Sequence, residues 1–348
     1  MSAPKIINIV SGKGGTGKTL LTAVLADLLG NENHSTLIVD LDVFVRGLTS
    51  LLYYHKKERL ELIEEDEIAI ADFFIDKGDL EVSGASKVAI ARYRSFDVAP
   101  SVSRVDEILK FTDLMPDTKS EAISLLNTLL SKFTKQYDFI LLDSRAGYDE
   151  LVAASHFISD VTICVEEEDS ISKITSDNLI NQLKEDSDNL IFRLCNKTRS
   201  ENENFDQGVS SGVDYIGGVP FDMDVMRSFG TKYFWDDISR TIYKSAIAKS
   251  WNRLSNKLGW NTTVDDFRPK PFGHDKLERK LRFFNVRDRI LLVYGLVIGF
   301  SGILYPLIDM SWFESMLNDS DGIRRITSTL TGAAGFILTA WVLLKNKK

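Results

Sequence analysis

The spacing of apolar and polar positions changes along the chain, and each change marks an element. Lys5–Val10 is a short β-branched run that predicts a buried strand. Lys18–Gly30 then places Leu21, Val24, Leu25 and Leu28 at helical spacing on one side, with Gly30 near its end. Further apolar runs at Thr36–Leu41, Val88–Tyr93, Phe96–Ala99, Phe139–Asp143, Val161–Val165, Leu190–Cys195 and Val213–Val219 predict strands. Helical segments follow most of them, including Lys119–Lys135 and Ile171–Glu185. Strands alternating with helices predict an α/β fold, a mostly parallel sheet with helices on both faces. No internal repeat or low-complexity tract interrupts the pattern.

The last quarter has a different pattern. Ile290–Ile308 and Ile326–Leu344 are each 19 residues without a charge. A helix rising ~1.5 Å per residue crosses a ~30 Å hydrocarbon core in about that length, so two transmembrane helices are expected. The first carries Gly295 and Gly299, the second Gly332, Ala333, Ala334 and Gly335, small residues that let helices approach closely. Neither span contains an ionisable group, so conduction or proton relay has no support. Lysine and arginine crowd the approach to the first span (Arg268, Lys270, Lys276, Arg279, Lys280, Arg282, Arg287, Arg289) and the tail (Lys345, Lys347, Lys348). The loop between the spans has only Arg324 and Arg325 beside Asp309, Glu314, Asp319 and Asp321. The positive-inside rule then puts both chain ends in the cytoplasm and the loop outside. The expected organisation is a soluble domain over 1–257, a linker and basic juxtamembrane segment over 258–289, spans at 290–308 and 326–344, an extracytoplasmic loop over 309–325 and a tail over 345–348.

Composition narrows the class. The chain of 348 residues is 44% apolar and 26% charged, ordinary for a folded protein. Its net charge of −8 is uneven: residues 260–348 hold 13 Lys and Arg against 9 Asp and Glu, and residues 1–259 hold 29 against 41. An acidic soluble part argues against nucleic acid as a partner. Cys164 and Cys195 lie in apolar strands and read as buried thiols, and the four histidines form no ligand-spaced cluster. No secretory leader is expected, because the chain runs directly into its first strand.

The chemistry lies at strand ends. Residues 11–19, Ser-Gly-Lys-Gly-Gly-Thr-Gly-Lys-Thr, fit the phosphate-binding pattern G-x-x-x-x-G-K-[ST] through Gly12, Gly17, Lys18 and Thr19. Such a loop curls so that backbone N–H groups of Gly14, Gly15, Thr16 and Gly17 meet phosphate oxygens at a helix N-terminus. Lys18 would reach the β- and γ-phosphates and the Thr19 hydroxyl would ligate Mg²⁺. Thr36–Asp42 ends a strand with Asp40 and Asp42; one could orient an attacking water and the other hold Mg²⁺ through water. Tyr137–Asp143 has the form of a Walker B strand, whose Asp143 would bind Mg²⁺ through water and whose following Gly147 would admit a switch loop.

Lys13–Thr19, Val39–Asp42 and Leu142–Gly147 resemble the deviant Walker A, switch I and switch II motifs of the MinD/ParA family of P-loop ATPases. Leu194–Lys197 is similar to that family's base-recognition strand end, and Ile216–Asp222 to its late strand near the base. The resemblance covers about residues 4–255. It implies MgATP sandwiched between two subunits, with Lys13 crossing to the partner's phosphates. It also implies Lys18 on the β/γ oxygens, Thr19 and Asp143 toward Mg²⁺, Asp42 on the lytic water, Asn196 on adenine and Pro220 beside the base. Many relatives have proline where this chain has Arg145. The exchange puts a cation near the γ-phosphate or the partner, or else into a surface ion pair.

The expected activity is slow ATP hydrolysis by a membrane-anchored switch. It would form an ATP-dependent homodimer and recruit or regulate an unidentified protein, and a bacterial inner membrane is the expected location. A nucleotide-binding scaffold with little turnover is the alternative. Bacterial tyrosine kinases share this loop branch and carry two spans, but theirs precede the ATPase domain and a tyrosine-rich tail follows it. Here the spans come last.

Overall fold

A computed structural model describes residues 3–55, 63–103, 115–134, 136–199, 212–229, 231, 233–239 and 241–265. They form a sheet of eight strands: β1 (Lys5–Ser11), β2 (Thr36–Asp40), β5 (Ala91–Tyr93), β6 (Phe96–Ala99), β7 (Phe139–Ala146), β8 (Val161–Glu167), β9 (Leu190–Thr198) and β10 (Tyr215–Pro220), in the order β10-β9-β8-β1-β7-β2-β6-β5. All neighbours are parallel except β5 and β6, which are antiparallel. The expected mostly parallel sheet is found.

Helices cover both faces. On one, α1 (Lys18–Asn31) and α10 (Ile242–Leu258) bury Leu21, Val24, Leu25, Trp251 and Leu254 against Ile7, Ile9, Ile38 and Phe139. On the other, α3 (Ile70–Ile75), α5 (Lys119–Ser131) and α6 (Glu150–Ile158) bury Phe73, Leu126, Leu129 and Leu151 against Leu37, Val39, Ile140 and Leu142. Burying each such side chain stabilises by roughly 1.5–3 kcal/mol. A third cluster sets α7 (Ser170–Asp186) on Val10 and Cys164. Double coverage explains why the strands read as continuous apolar runs.

One polar row crosses this interior. The Ser144 hydroxyl donates to Asn8 Oδ1 (2.7 Å), Asn8 Nδ2 donates to Thr162 Oγ1 (3.4 Å), and Thr162 Oγ1 lies 2.8 Å from His156 Nδ1. All four residues are buried.

Two expectations change. Val88–Tyr93, read as one strand, is split. β4 (Lys87–Val88) pairs with β3 (Glu67–Ile68) in a separate two-stranded sheet, whereas β5 joins the main sheet as its edge. The folded unit also continues past 257. Beyond α10, Trp251 Nε1 donates to the Thr262 carbonyl (3.0 Å), and Asn252 exchanges hydrogen bonds with Val264. Trp260 packs on Trp251 and Phe139 with centroids 5.9 and 6.2 Å apart. These residues cover the base of β1, so 259–265 belong to the core that was expected to have ended. Among the described residues no helix is long and apolar enough to cross a membrane. The expected spans, their loop, the tail and most of the juxtamembrane segment lie outside the described residues.

Candidate nucleotide site

β1 ends in the glycine loop, and α1 begins at Lys18. The glycines do different things. A Cβ on Gly12 would lie 2.3 Å from the Thr175 carbonyl carbon, so Gly12 lets the loop rest against the backbone of α7. Gly15 and Gly17 have φ of 80° and 90°, left-handed values that glycine adopts freely. A Cβ on Gly17 would also meet Asn196 Nδ2 at 2.4 Å. Gly14 faces open space. The result is a curled backbone at the positive end of a 14-residue helix, suited to an anion.

A cavity of about 450 Å³ opens over this loop, within the range of small-molecule sites. Of the residues expected at the site, Gly14, Gly15, Gly17, Lys18, Thr19, Asp42, Asn196 and Pro220 line it. Gly47, at the start of α2 (Gly47–His55), closes one side, with its Cβ position 3.2 Å from the Thr19 hydroxyl. Gly12, Lys13, Thr16, Asp40, Asp143 and Gly147 do not line it. Gly147 (φ 85°) turns the chain out of β7, its N–H bonded to the Ser11 carbonyl (2.9 Å).

The three aspartates divide. Asp40 and Asp143 are side by side across β2 and β7, and both are buried. Asp40 Oδ2 accepts from the Thr49 N–H (2.9 Å) and hydroxyl (2.6 Å), and Oδ1 accepts from the Asp42 N–H (3.3 Å). Asp40 therefore ties β2 to α2, with both its oxygens already taken by protein donors, where a metal-holding role was expected. Thr22 donates to Asp143 Oδ1 (3.3 Å), while buried Asp143 Oδ2 has no hydrogen-bond partner among the described residues. That orphaned oxygen, beside Thr19, suits Mg²⁺, which takes one or two protein oxygens and completes its shell with phosphate and water. No cluster of three or more His, Cys, Asp or Glu side chains among the described residues could hold a metal without such help. Asp42 alone of the three lines the cavity, with Oδ1 accepting from the Val45 N–H (3.3 Å).

Burial and the charge of Asp143 raise Asp40 to about 7. Burial likewise raises Asp143 to about 6 against the opposing pull of Lys18 and Thr19. A carboxyl that binds its proton more tightly when folded contributes stability below its unfolded value, near 4. That contribution is lost as pH rises through the folded value. Asp40→Asn should therefore gain stability over wild type by about 1–3 kcal/mol as pH climbs from about 4 to about 7. Denaturant titrations at both ends of that window check it, and a pH-independent difference between the proteins refutes it.

Two sequence expectations meet a different geometry. Lys13 does not extend outward. Its Nζ pairs with Glu167 (2.7 Å) and Asp169 (2.8 Å), at the end of β8 and the start of α7, and both raise its pKa. Asn196, expected on adenine, donates from Nδ2 to the Thr16 carbonyl (2.7 Å) and accepts the Lys197 N–H at Oδ1 (2.9 Å). It braces the loop from behind.

Sequence reading missed Lys197. It follows Asn196 with φ 57°, and its Nζ donates to the Gly15 carbonyl (2.6 Å) and pairs with Glu167 (2.5 Å). It also missed the apolar wall of Phe221, Met226 and Phe229 around α8 (Met223–Ser228). These side chains are 38–50% exposed. Phe221, Met223, Val225, Met226 and Phe229, closely spaced after Pro220, were the available signal.

The sequence profile of the AAA_31 family, described as an AAA domain, matches residues 4–193. An uncharacterized ATP-binding protein of Methanocaldococcus jannaschii is 24% identical over 232 residues, 63% of this chain and 86% of that protein. The septum site-determining protein MinD of Buchnera aphidicola is 25% identical over 200 residues, 58% of this chain and 62% of that one. Septum site-determining protein MinD from Pyrococcus horikoshii, complexed with Mg-ADP, superimposes with a TM-score of 0.55. That match has 20% identity and covers 75% of this chain and all of the other. The solved structure shows a shared fold.

Proposed function

Because this chain belongs to the AAA_31 family of AAA domains, we propose that it is a MgATP-binding switch that hydrolyses ATP slowly and pairs with a second copy when ATP is bound. The observation that carries this reading is the cavity at the N-terminus of α1. There Lys18, Thr19 and Asp42 converge beside the orphaned oxygen of Asp143. The α1 N-terminus and Lys18 would hold the phosphates. Thr19 and, through water, Asp143 would hold Mg²⁺, which supplies neutralisation of phosphate charge. Asp42 would accept a hydrogen bond from the attacking water as its oxygen bonds the γ-phosphorus. The β–γ bridging bond breaks, ADP departs and the proton leaves with phosphate.

Lys13 is proposed to act in trans. To do so it must exchange Glu167 and Asp169 for the partner's phosphate oxygens. Its side chain is 29% exposed, and exposed ion pairs are weak, so the exchange is accessible. The uncharged runs at 290–308 and 326–344 support permanent anchoring in a membrane, with the ATPase domain and both ends cytoplasmic. ATP would then control pairing in the membrane plane and display of a surface to a protein partner. The acidic balance of residues 1–259 speaks against nucleic acid as that partner.

The test measures ATP hydrolysis by the full chain against its concentration. The rate per chain should rise as chains pair, and Lys13→Ala should bind nucleotide yet lose about tenfold or more of the concentration-dependent rate. A wild-type rate independent of concentration and unaffected by Lys13→Ala removes the trans role. Nucleotide binding without measurable turnover would favour the scaffold reading, which the tethering of Lys13 by Glu167 and Asp169 also supports.

A further inference from the structure

Arg145 is the next-to-last residue of β7, two residues after Asp143, and it lines the same cavity as Lys18, Thr19 and Asp42. Its Nη1 lies 3.2 Å from Asp149 Oδ2, and its guanidinium carbon lies 5.3 Å from the centre of the Phe44 ring. These two contacts belong to different switch segments. Asp149 caps α6 by accepting the Val152 N–H (2.8 Å), whereas Phe44 sits in the loop between Asp42 and α2. Phe44 also lines the cavity, and the adjacent Val45 is 74% exposed. One cation thus joins the segments after β2 and β7 at the rim of the phosphate loop.

We propose that Arg145 reads the terminal phosphate of a bound nucleoside triphosphate, exchanging Asp149 for a γ-phosphate oxygen and drawing both switch segments to the nucleotide. This rests on the nucleotide-binding reading and deepens it, giving the chain an internal means of distinguishing triphosphate from diphosphate. Several features favour the exchange. The Arg145 and Asp149 side chains are 26% and 19% exposed, a setting in which a single ion pair is weakly held. A guanidinium matches phosphate geometry with two parallel hydrogen bonds, and the stack on Phe44 limits its directions of approach. Lys18 enters the cavity from the loop, and Arg145 enters from the wall formed by β7. A terminal phosphate between them would meet a cation on each side. Leaving Asp149 does not undo α6, because the Val152 N–H bond to its other oxygen, Oδ1, is separate. As the guanidinium turns to the phosphate, the end of β7 and the stacked Phe44 move with it, which links the phosphate to the exposed Val45 beside Phe44.

The experiment compares equilibrium binding of Mg-ADP and of a Mg-bound non-hydrolysable ATP analogue to the full chain. Arg145→Gln should weaken the analogue about tenfold or more while changing ADP affinity less than about twofold, and Arg145→Lys should restore part of the loss. Asp149→Asn keeps a side-chain oxygen for the helix cap and removes the competing anion, so it should tighten the analogue about twofold to tenfold without tightening ADP. Equal losses for both nucleotides in Arg145→Gln, or an analogue affinity unmoved by either variant, overturn the proposal. If wild type binds neither nucleotide, the nucleotide-binding reading itself fails. Melting temperatures of the variants identify any that fail to fold, and Arg145→Lys then carries the comparison.

Discussion

Lys18→Ala lowers the rate of ATP hydrolysis by about 10²–10³-fold, the scale on which one preorganised charged donor acts in a water-poor site. Lys18 is 7% exposed at the first position of α1, behind the left-handed turn at Gly17. Its ammonium is the charge that most opposes the upward shift that burial gives the Asp143 carboxyl. Removing it has two effects. Phosphate loses its partner, and Asp143 is pushed further toward its protonated form, which holds Mg²⁺ less well. Alanine is the best helix former, so α1 should persist. Circular dichroism should be unchanged, which separates lost chemistry from lost fold. A variant that folds and hydrolyses ATP at the wild-type rate would falsify the assignment of this cavity.

Arg193→Met costs about 3–5 kcal/mol of folding stability. The guanidinium is 1% exposed on β9, with Nη1 2.7 Å from Glu166 and Nη2 paired to Asp177 of α7. Glu166 also accepts from the Tyr215 hydroxyl, and the Tyr215 ring lies 5.8 Å from the guanidinium carbon. Burial raises the Glu166 carboxyl, and Arg193 opposes that rise. Methionine fills the volume but leaves Glu166 buried beside Asp177 without a counter-charge. The deficit should ease as pH falls toward 5, where Glu166 takes a proton more readily in the folded variant than in the unfolded chain. Arg193→Met combined with Glu166→Gln should recover part of the loss. A strictly additive pair in chemical denaturation would show that the two side chains are not coupled. The loss should also reach the nucleotide, because Glu167, pointing to the opposite side from Glu166, holds both Lys13 and Lys197.

The sheet was legible because strands covered on both faces are mainly apolar, and β1, β2, β7 and β8 carry apolar runs around their few polar positions. The loop was legible because few residue types can curl around phosphate, as Gly15 and Gly17 show with their left-handed backbone. Partner choice was harder to read. A strand-end aspartate looks the same whether it faces the cavity, as Asp42 does, or a threonine, as Asp40 does. Lys13 and Lys197 share Glu167 across more than 150 positions of sequence, and spacing contains no trace of that. The split of Val88–Tyr93 had no signal either. Val88 and Ala91 are both buried, but they pair with strands on different sheets.

The polar row from Ser144 through Asn8 and Thr162 to His156 has a consequence for how the chain finds this fold. Three central strands made of Ile, Leu and Val could slide past one another with little change in apolar contact. The row forbids it. Shifting β1 by one residue turns Asn8 to the opposite face, breaks its hydrogen bonds to Ser144 and Thr162 and leaves Thr162 only His156, in an interior that punishes unpaired polar groups. Asn8 thus acts as an indexing pin, making misthreaded compact states costly and leaving one alignment for the strands that bring the glycine loop to Asp143.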